Sequence, residues 1–305
     1  MKIYLFPGQG AQVKGMGAGL FARFPDLTAR ADAILGYSIR TLCVDDPRGE
    51  LGKTQFTQPA LYVVNALAYF SKLEEGGPAD ILAGHSLGEF NALMAAGCFD
   101  FETGLALVKK RGELMAQASG GAMAAILNAS SDHIAAVLAE HGLHKVYLAN
   151  LNTPLQTVIS GLREDVTRAS PLFQMQGPIR VYPLATSGAF HSAYMAGAME
   201  QFRDHLQQVR FAQPSIPVLA NVSGQPYPLA PAAILDTLAS QIANTVRWCD
   251  SMQYVMALAQ ARGATPQFIE CGPGDVLTRM ANMVRTQTPQ EQLDLLATEL
   301  ARRAA

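Results

Sequence analysis

Asp80-Ile81-Leu82-Ala83-Gly84-His85-Ser86-Leu87-Gly88-Glu89-Phe90 reads as a short apolar strand that runs through Gly-x-Ser-x-Gly into a helix rich in small residues over 91–96. Glycines two positions on either side of Ser86 permit a cramped strand-to-helix turn, a nucleophile elbow, which lifts one hydroxyl clear of the backbone. The turn also leaves the N–H of Leu87 at a helix N-terminus, facing the place where an oxyanion would develop. Ser86 is therefore the candidate nucleophile. Gly-x-Ser-x-Gly also occurs in loops without chemistry. Here an apolar strand precedes it and a helix-compatible run follows, which is the context an elbow needs.

The flanking sequence supplies an α/β body for this turn. Lys2 to Phe6 reads as a buried strand, and Pro7-Gly8-Gln9-Gly10-Ala11-Gln12 as a glycine-punctuated loop that brings backbone N–H groups into the open. One use of such a loop is to offer the N–H of Gln9 to an oxyanion opposite Leu87. The rival use, a phosphate cradle, lacks the Gly-Lys-Ser/Thr ending of a P-loop and the spacing of a dinucleotide fingerprint. Residues 17–42 are mainly helical in pattern, with a new start at Pro25-Asp26, and Thr57-Gln58-Pro59 opens a helix that is apolar from Ala60 to Leu73. Asp100-Phe101-Glu102-Thr103 begins another, whose apolar positions Leu105, Leu107, Val108 and Leu114 share it with Lys109-Lys110-Arg111. The two lysines read as a solvated face.

Beyond residue 121 the rhythm becomes strand, helix, strand, strand, helix, strand: 122–127, 131–140, 146–150, 157–160, 163–176 and 180–184. This βαββαβ order is that of a ferredoxin-like subdomain, too short to carry the elbow. The expected fold is thus α/β: a large α/β-hydrolase-like domain from residues 1–121 and 191–285, a ferredoxin-like insert over 122–190, and a helical tail or linker over 286–305.

Composition narrows the partners. A chain of 305 residues with 49% hydrophobic and 16% charged residues has ample material for a buried core. A formal charge of −2 creates no long-range field of one sign, so nothing argues for nucleic acid or an anionic membrane surface. The first residues lack a signal-peptide pattern and no apolar run is long enough to span a bilayer, which makes a cytoplasmic protein the expectation. Cys43, Cys98, Cys249 and Cys271 are far apart with no C-x-x-C pair, so neither a metal site nor a disulfide framework is expected.

A serine hydroxyl needs a base, and histidine is the usual one. Of six histidines, His133, His141, His144 and His205 sit in polar helix faces or loops, and His85 adjoins Ser86, where neighbours in an elbow point apart. His191 lies in Ser187-Gly188-Ala189-Phe190-His191-Ser192, at the end of the insert, where a domain junction can present it to Ser86. A capping or core histidine is the competing reading.

Phe6-Pro7-Gly8-Gln9-Gly10-Ala11-Gln12, Gly84-His85-Ser86-Leu87-Gly88-Glu89-Phe90, Arg111, Asn152-Thr153-Pro154, Gln156-Thr157-Val158-Ile159-Ser160-Gly161, Ala189-Phe190-His191-Ser192 and Glu270-Cys271-Gly272-Pro273-Gly274 occur in this order. Together they resemble the malonyl-CoA:acyl carrier protein transacylases, over residues 1–285. Within that family the chain looks most like the free-standing, trans-acting acyltransferases of polyketide synthases, with a housekeeping fatty-acid enzyme as the near alternative.

The resemblance implies a mechanism. His191 deprotonates Ser86, which attacks the thioester of malonyl-CoA while the oxyanion rests on the N–H groups of Leu87 and Gln9. Coenzyme A leaves, and the phosphopantetheine thiol of an acyl carrier protein attacks the acyl-serine by the reverse path, giving ping-pong kinetics. No bound cofactor is implied. Arg111 grips the malonyl carboxylate through two parallel hydrogen bonds, which a lysine does not reproduce. Phe190 crowds a branch at the second acyl carbon, favouring malonyl over methylmalonyl, while Gly188, in place of the usual first residue of that signature, loosens the pocket. A backbone carbonyl near Val246-Arg247-Trp248, assigned to Arg247, orients His191, and Asn152 lines the pocket. Lys109, Lys110, Arg180 and Arg247 are candidates for docking an acidic carrier protein.

Two other classes of function are weighed against transfer. An acyl hydrolase needs only a change of acceptor from thiol to water, but a buried cation at Arg111 is costly without a carboxylate partner. A catalytically silent docking protein is at odds with intact Ser86, His191 and Arg111.

Overall fold

The structure, a computed structural model, describes residues 1–304. Strand β1 (Lys2–Phe6) is apolar on both faces and almost wholly buried, the signature of a strand covered by helices on each side. Four helices follow, α1 (Ala18–Arg23), α2 (Pro25–Leu35), α3 (Ile39–Val44) and α4 (Thr54–Gly76), before β2 (Ile81–Gly84) enters the elbow helix α5 (Gly88–Ala95) and then α6 (Phe101–Ala116).

Helix α4 begins three residues earlier than the sequence suggests and carries Pro59 inside it. The Lys53 carbonyl already accepts from the N–H groups of Phe56 and Thr57, both at 2.8 Å, so the first turn closes before the proline is reached. Proline there forfeits one hydrogen bond, and the buried stretch from Thr57 to Leu67 compensates through packing. Helix α6 opens as expected, with the Asp100 side chain accepting from the N–H of Thr103 at 2.8 Å.

The next elements are β3 (Gly121–Leu127), α7 (Ser131–Glu140), β4 (Tyr147–Thr153), β5 (Gln156–Leu162), α8 (Arg163–Gln174) and β6 (Arg180–Pro183). They form an antiparallel sheet in the order β4-β5-β3-β6. Ile134, Val137 and Leu138 of α7 and Val166, Ala169 and Phe173 of α8 pack with Ile126, Ile159 and Val181 of the strands.

The chain then returns through α9 (Ala196–Leu206), β7 (Val218–Leu219), α10 (Pro231–Ser240), α11 (Trp248–Ala261), β8 (Gln267–Glu270), α12 (Val276–Gln287) and α13 (Gln290–Ala304). Strands β7-β2-β1-β8 form a second, wholly parallel sheet. Its register pairs Phe6 with Gly84, so the loop after β1 and the elbow after β2 leave the same edge side by side. That carboxyl edge is where open α/β sheets place ligands. In the last helix Leu293 joins the apolar cluster of Met252 and Val255 from α11.

Two contacts bring the antiparallel sheet to this edge. Val246 donates to the Ala149 carbonyl at 2.8 Å and accepts from the Leu151 N–H at 2.9 Å, tying β4 to the segment before α11. At the start of β3, a Cβ on Gly121 would lie 2.1 Å from the Ala189 nitrogen, so the chain just before His191 runs directly against that strand.

Candidate active site

The elbow is built by close approach. A Cβ on Gly84 would sit 2.0 Å from the Gly88 carbonyl group, and one on Gly88 would sit 1.9 Å from the Phe6 carbonyl oxygen. Ser86 itself has φ of 49°, in the left-handed region that most side chains avoid. Asn221 braces the turn: its Oδ1 accepts from the Ser86 N–H and its Nδ2 donates to the Gly84 carbonyl, each at 2.7 Å. On the other side Asn65 Nδ2 donates to the Pro7 carbonyl at 2.8 Å and to Asn91 Oδ1 at 3.1 Å, joining the first loop to the elbow helix. Gly8 approaches so closely that a Cβ there would lie 2.4 Å from the His85 carbonyl oxygen.

His191 meets Ser86. The Ser86 Oγ lies 2.8 Å from His191 Nε2, and the ring is almost wholly buried. Its Nδ1 faces the carbonyls of Gln241 at 2.9 Å and Asn244 at 3.2 Å. Two acceptors there require Nδ1 to carry the proton, which leaves Nε2 as the acceptor for the serine hydroxyl. Burial pulls the His191 pKa down to about 3, with the Arg111 charge acting in the same direction and the two carbonyls opposing it. The free imidazole is neutral, the form a general base requires.

The orienting carbonyl corrects the assignment to Arg247. Arg247 stands at the start of α11, where its carbonyl accepts from Ser251 and its Nε pairs with Asp250 at 2.6 Å. The tight turn Gln241–Ala243 at the end of α10 bends the chain towards His191 six residues earlier. The sequence around Arg247 carries no mark of that bend.

Arg111 is 1% exposed and lies in the site. Its Nη2 donates to Gln241 Oε1 at 2.7 Å and to Ser86 Oγ at 3.1 Å, and its Nη1 donates to Gln58 Oε1 at 2.6 Å. Among the described residues the Nε proton has no partner. The guanidinium lies 5.6 Å from the centre of the Phe90 ring. Burial lowers the Arg111 pKa to about 10, and the nearest opposing charge is Glu89, which is itself fully buried and pushed up to about 7 by desolvation. Lys109 and Lys110 are half-buried, and Lys109 donates to the Ile34 carbonyl at 2.9 Å.

Gln9, Leu87 and Phe190 border the same cavity of about 90 Å³ as Ser86, His191 and Arg111. Among the described residues no backbone partner engages the N–H of Gln9 or of Leu87. The space that Gly188 leaves is not empty: a Cβ there would come within 2.5 Å of the Phe190 ring. Glycine admits the ring rather than loosening the pocket, a second correction to the sequence reading. Asn152 is a third. Its Oδ1 accepts a hydrogen bond from His85 Nε2 at 2.9 Å, and Asn150, two residues before it, reaches the cavity instead. Arg180 donates to the carbonyls of Gly177 and Ile179.

Four residues of the site escaped the sequence: Gln58, Asn150, Asn221 and Gln241. Gln58 had a signal, since it is a polar side chain at the head of an otherwise apolar helical run. Asn150 lies only two residues before Asn152, but the register of β4 shifts between Leu151 and Thr153, an irregularity that strand periodicity does not reveal. Gln241 and Asn221 lie far from any motif, and only the fold delivers them. Among the described residues no helix is long and apolar enough to cross a membrane, and no group of three or more His, Cys, Asp or Glu is placed to hold a metal ion.

Comparison with known proteins identifies the family. The model of the acyl transferase domain matches residues 3–293. The polyketide biosynthesis malonyl CoA-acyl carrier protein transacylase PksC of Bacillus subtilis (strain 168) is 50% identical over 287 residues, covering 93% of this chain and 97% of its own. A crystal structure of a malonyl CoA-acyl carrier protein transacylase from Burkholderia pseudomallei superposes with a TM-score of 0.92 at 59% identity, covering 95% of this chain and 99% of that one. A type II polyketide synthase acyl carrier protein in complex with its malonyl-transacylase contains a chain that matches with a TM-score of 0.86 at 34% identity, covering 98% and 99%. The chain therefore belongs to the acyl transferase domain family, among its malonyl-CoA:acyl carrier protein transacylases.

Proposed function

We propose that this protein transfers a malonyl group from malonyl-CoA to the phosphopantetheine thiol of an acyl carrier protein through a malonyl-Ser86 intermediate. The observation that carries this reading is the placement of Ser86 Oγ between His191 Nε2 and Arg111 Nη2, beside a buried guanidinium held by neutral amides. A neutral base on one side of the hydroxyl and, on the other, a buried cation with no carboxylate in contact among the described residues suit a thioester whose acyl group ends in a carboxylate.

His191 takes the proton of Ser86 as Oγ attacks the thioester carbon. The free N–H groups of Leu87 and Gln9 receive the oxyanion, and His191 returns the proton to the departing coenzyme A thiolate. As malonyl-CoA binds, Arg111 Nη2 exchanges Ser86 Oγ for the malonyl carboxylate, and the Nε, unpartnered among the described residues, is a further donor. The carrier thiol reverses these steps, and the phosphopantetheine comes with the partner, so the chain needs no resident cofactor. The use of coenzyme A thioesters and carrier proteins supports a cytoplasmic reading. Identity to PksC favours service to a polyketide synthase. We read the body around the parallel sheet, residues 1–121 and 191–285, as α/β-hydrolase-like, residues 122–190 as a ferredoxin-like insert, and 286–305 as a helical tail or linker, of which residue 305 lies outside the described residues.

The test is the intact mass of the protein after brief incubation with malonyl-CoA, acetyl-CoA and methylmalonyl-CoA, followed by addition of a holo carrier protein. A malonyl adduct, absent in Ser86→Ala and passed to the carrier protein, is expected. Release of coenzyme A without an adduct or a loaded carrier would replace this reading with a hydrolase.

A further inference from the structure

Glu89 sits in the first turn of α5 with no exposed surface, and the mechanism above gives it no task. Its Oε1 accepts from the N–H of Asn221 at 3.0 Å, and its Oε2 accepts from Gln241 Nε2. These two partners hold the chemical groups between them. Asn221 braces the elbow, and Gln241 touches three of the groups that react or bind: its main-chain carbonyl faces His191, its Oε1 faces Arg111, and its Nε2 also donates to the Ser86 carbonyl at 2.6 Å.

We infer that Glu89 is a positioning residue for malonyl recognition: its carboxylate fixes the direction of the Gln241 amide, and the amide aims Arg111 at the substrate. The Ser86 carbonyl only accepts hydrogen bonds, and so does the Glu89 carboxylate in its ionised form. The NH2 group of Gln241 must therefore face Glu89 and the Ser86 carbonyl, which leaves Oε1 for the guanidinium. The reverse orientation sets NH2 against Arg111, donor against donor, and the amide oxygen against two acceptors. The inference rests on the reading that Arg111 grips the malonyl carboxylate.

The arrangement also accounts for how a buried cation is kept available. No Asp or Glu side chain forms a salt bridge with Arg111 among the described residues; its acceptors are the neutral oxygens of Gln58, Gln241 and Ser86. A carboxylate in direct contact would compete with the substrate for the fork. One amide away, the Glu89 charge still eases the burial of Arg111, whose pKa it pulls back upward, while the Nε donor stays free.

The experiment compares Glu89→Gln, Glu89→Asp and Arg111→Ala with the parent enzyme by three readouts: KM for malonyl-CoA, the preference for malonyl over acetyl loading, and the rate of Ser86 labelling by a fluorophosphonate. Labelling needs Ser86 and His191 but no carboxylate grip. Glu89→Gln is expected to raise KM and erode the malonyl preference by about tenfold or more, the size seen when a supporting hydrogen bond is lost, with labelling kept within about threefold. Glu89→Asp keeps an acceptor but is one methylene too short to hold the Gln241 amide in place, so it should raise KM and erode the preference in the same direction by a smaller factor, with labelling kept. An unchanged KM and preference in Glu89→Gln, or a parallel fall in labelling, would overturn the inference, the second by showing a general scaffold role. If Glu89→Gln does not fold, Glu89→Asp decides: a raised KM with labelling kept supports the role, and anything else overturns it. Should Arg111→Ala leave KM and preference unchanged, the carboxylate grip falls and this inference with it. Should Arg111→Ala change them and both Glu89 variants not, only the inference about Glu89 falls.

Discussion

Ser86 and His191 both hold a left-handed backbone, with φ of 49° and 55°, and their side chains meet at 2.8 Å. Neither is a glycine, so each retains a conformation that costs a side-chain residue about 1 kcal/mol or more. The Ser86 conformation is imposed by the elbow, where Gly84 and Gly88 touch and Asn221 clamps the turn. That of His191 accompanies the bond from its N–H to the Ile242 carbonyl at 3.1 Å. The strain is the local counterpart of aiming a hydroxyl and an imidazole at one point.

Strain of this kind is measurable. Ser86→Ala and Ser86→Gly both lose the hydroxyl, but only glycine removes the left-handed penalty. Ser86→Gly is expected to be more stable than Ser86→Ala by about 1 kcal/mol in denaturant unfolding, with both inactive. Equal midpoints would mean that the elbow backbone is not strained.

Arg111 yields a prediction about charge geometry. Its guanidinium reaches Gln58, Gln241 and Ser86 at once, which a single ammonium does not reproduce. Arg111→Lys and Arg111→Ala are both expected to lower kcat/KM for malonyl-CoA by about 100-fold or more, a loss of about 3 kcal/mol typical of a charge-assisted pair in a water-poor site. Acetyl loading should suffer far less. Steady-state kinetics with the two thioesters check this.

Much of this site was legible in the sequence because its parts are local. The elbow needs two glycines and a serine within five residues, and the strand before it shows as an apolar run. The order of the antiparallel elements was legible too, since each strand and helix there has its own period and its own turn. What the sequence withheld are contacts made across the fold. Gln241 reaches Ser86 over 155 residues and Asn221 over 135, and neither lies in a recognisable pattern. The orienting carbonyl was placed at Arg247 because a backbone acceptor leaves no trace in residue identity. Pro59 misled the start of α4, since packing of a long buried helix outweighs one missing hydrogen bond.

The pH dependence follows from His191. Its pKa is depressed to about 3, so the imidazole remains a neutral base well below an ordinary histidine's 6.5, and reactivity of Ser86 is lost only as pH falls through the lowered value. Burial is the main cause; the charge of Arg111 adds to it, and removing that charge raises the pKa. The acid limb of Ser86 labelling by a fluorophosphonate should accordingly lie below pH 6 in the parent and move to higher pH in Arg111→Ala. A limb that stays in place would separate Arg111 from the dyad electrostatically.

Three glycines with blocked Cβ positions separate folding from selectivity. At Gly84 and Gly88 the obstruction is backbone, at 2.0 Å and 1.9 Å, and backbone in a parallel sheet and its elbow has nowhere to go. Gly84→Ala and Gly88→Ala are expected to cost more than about 4 kcal/mol and to leave little folded protein. At Gly188 the obstruction is the Phe190 ring, a side chain that turns about its own bonds. Gly188→Ala should therefore fold, and its effect should fall on the acyl pocket that the ring borders. Phe190→Ser, which deletes the ring, is expected to raise methylmalonyl loading relative to malonyl by about 10- to 100-fold, since a branch worth one methyl group is discriminated by about 1–3 kcal/mol. Competition between the two thioesters, read by the mass of the acyl-enzyme, gives the ratio directly. A Phe190→Ser enzyme with unchanged preference would remove the ring from substrate selection and leave it as a wall of the core.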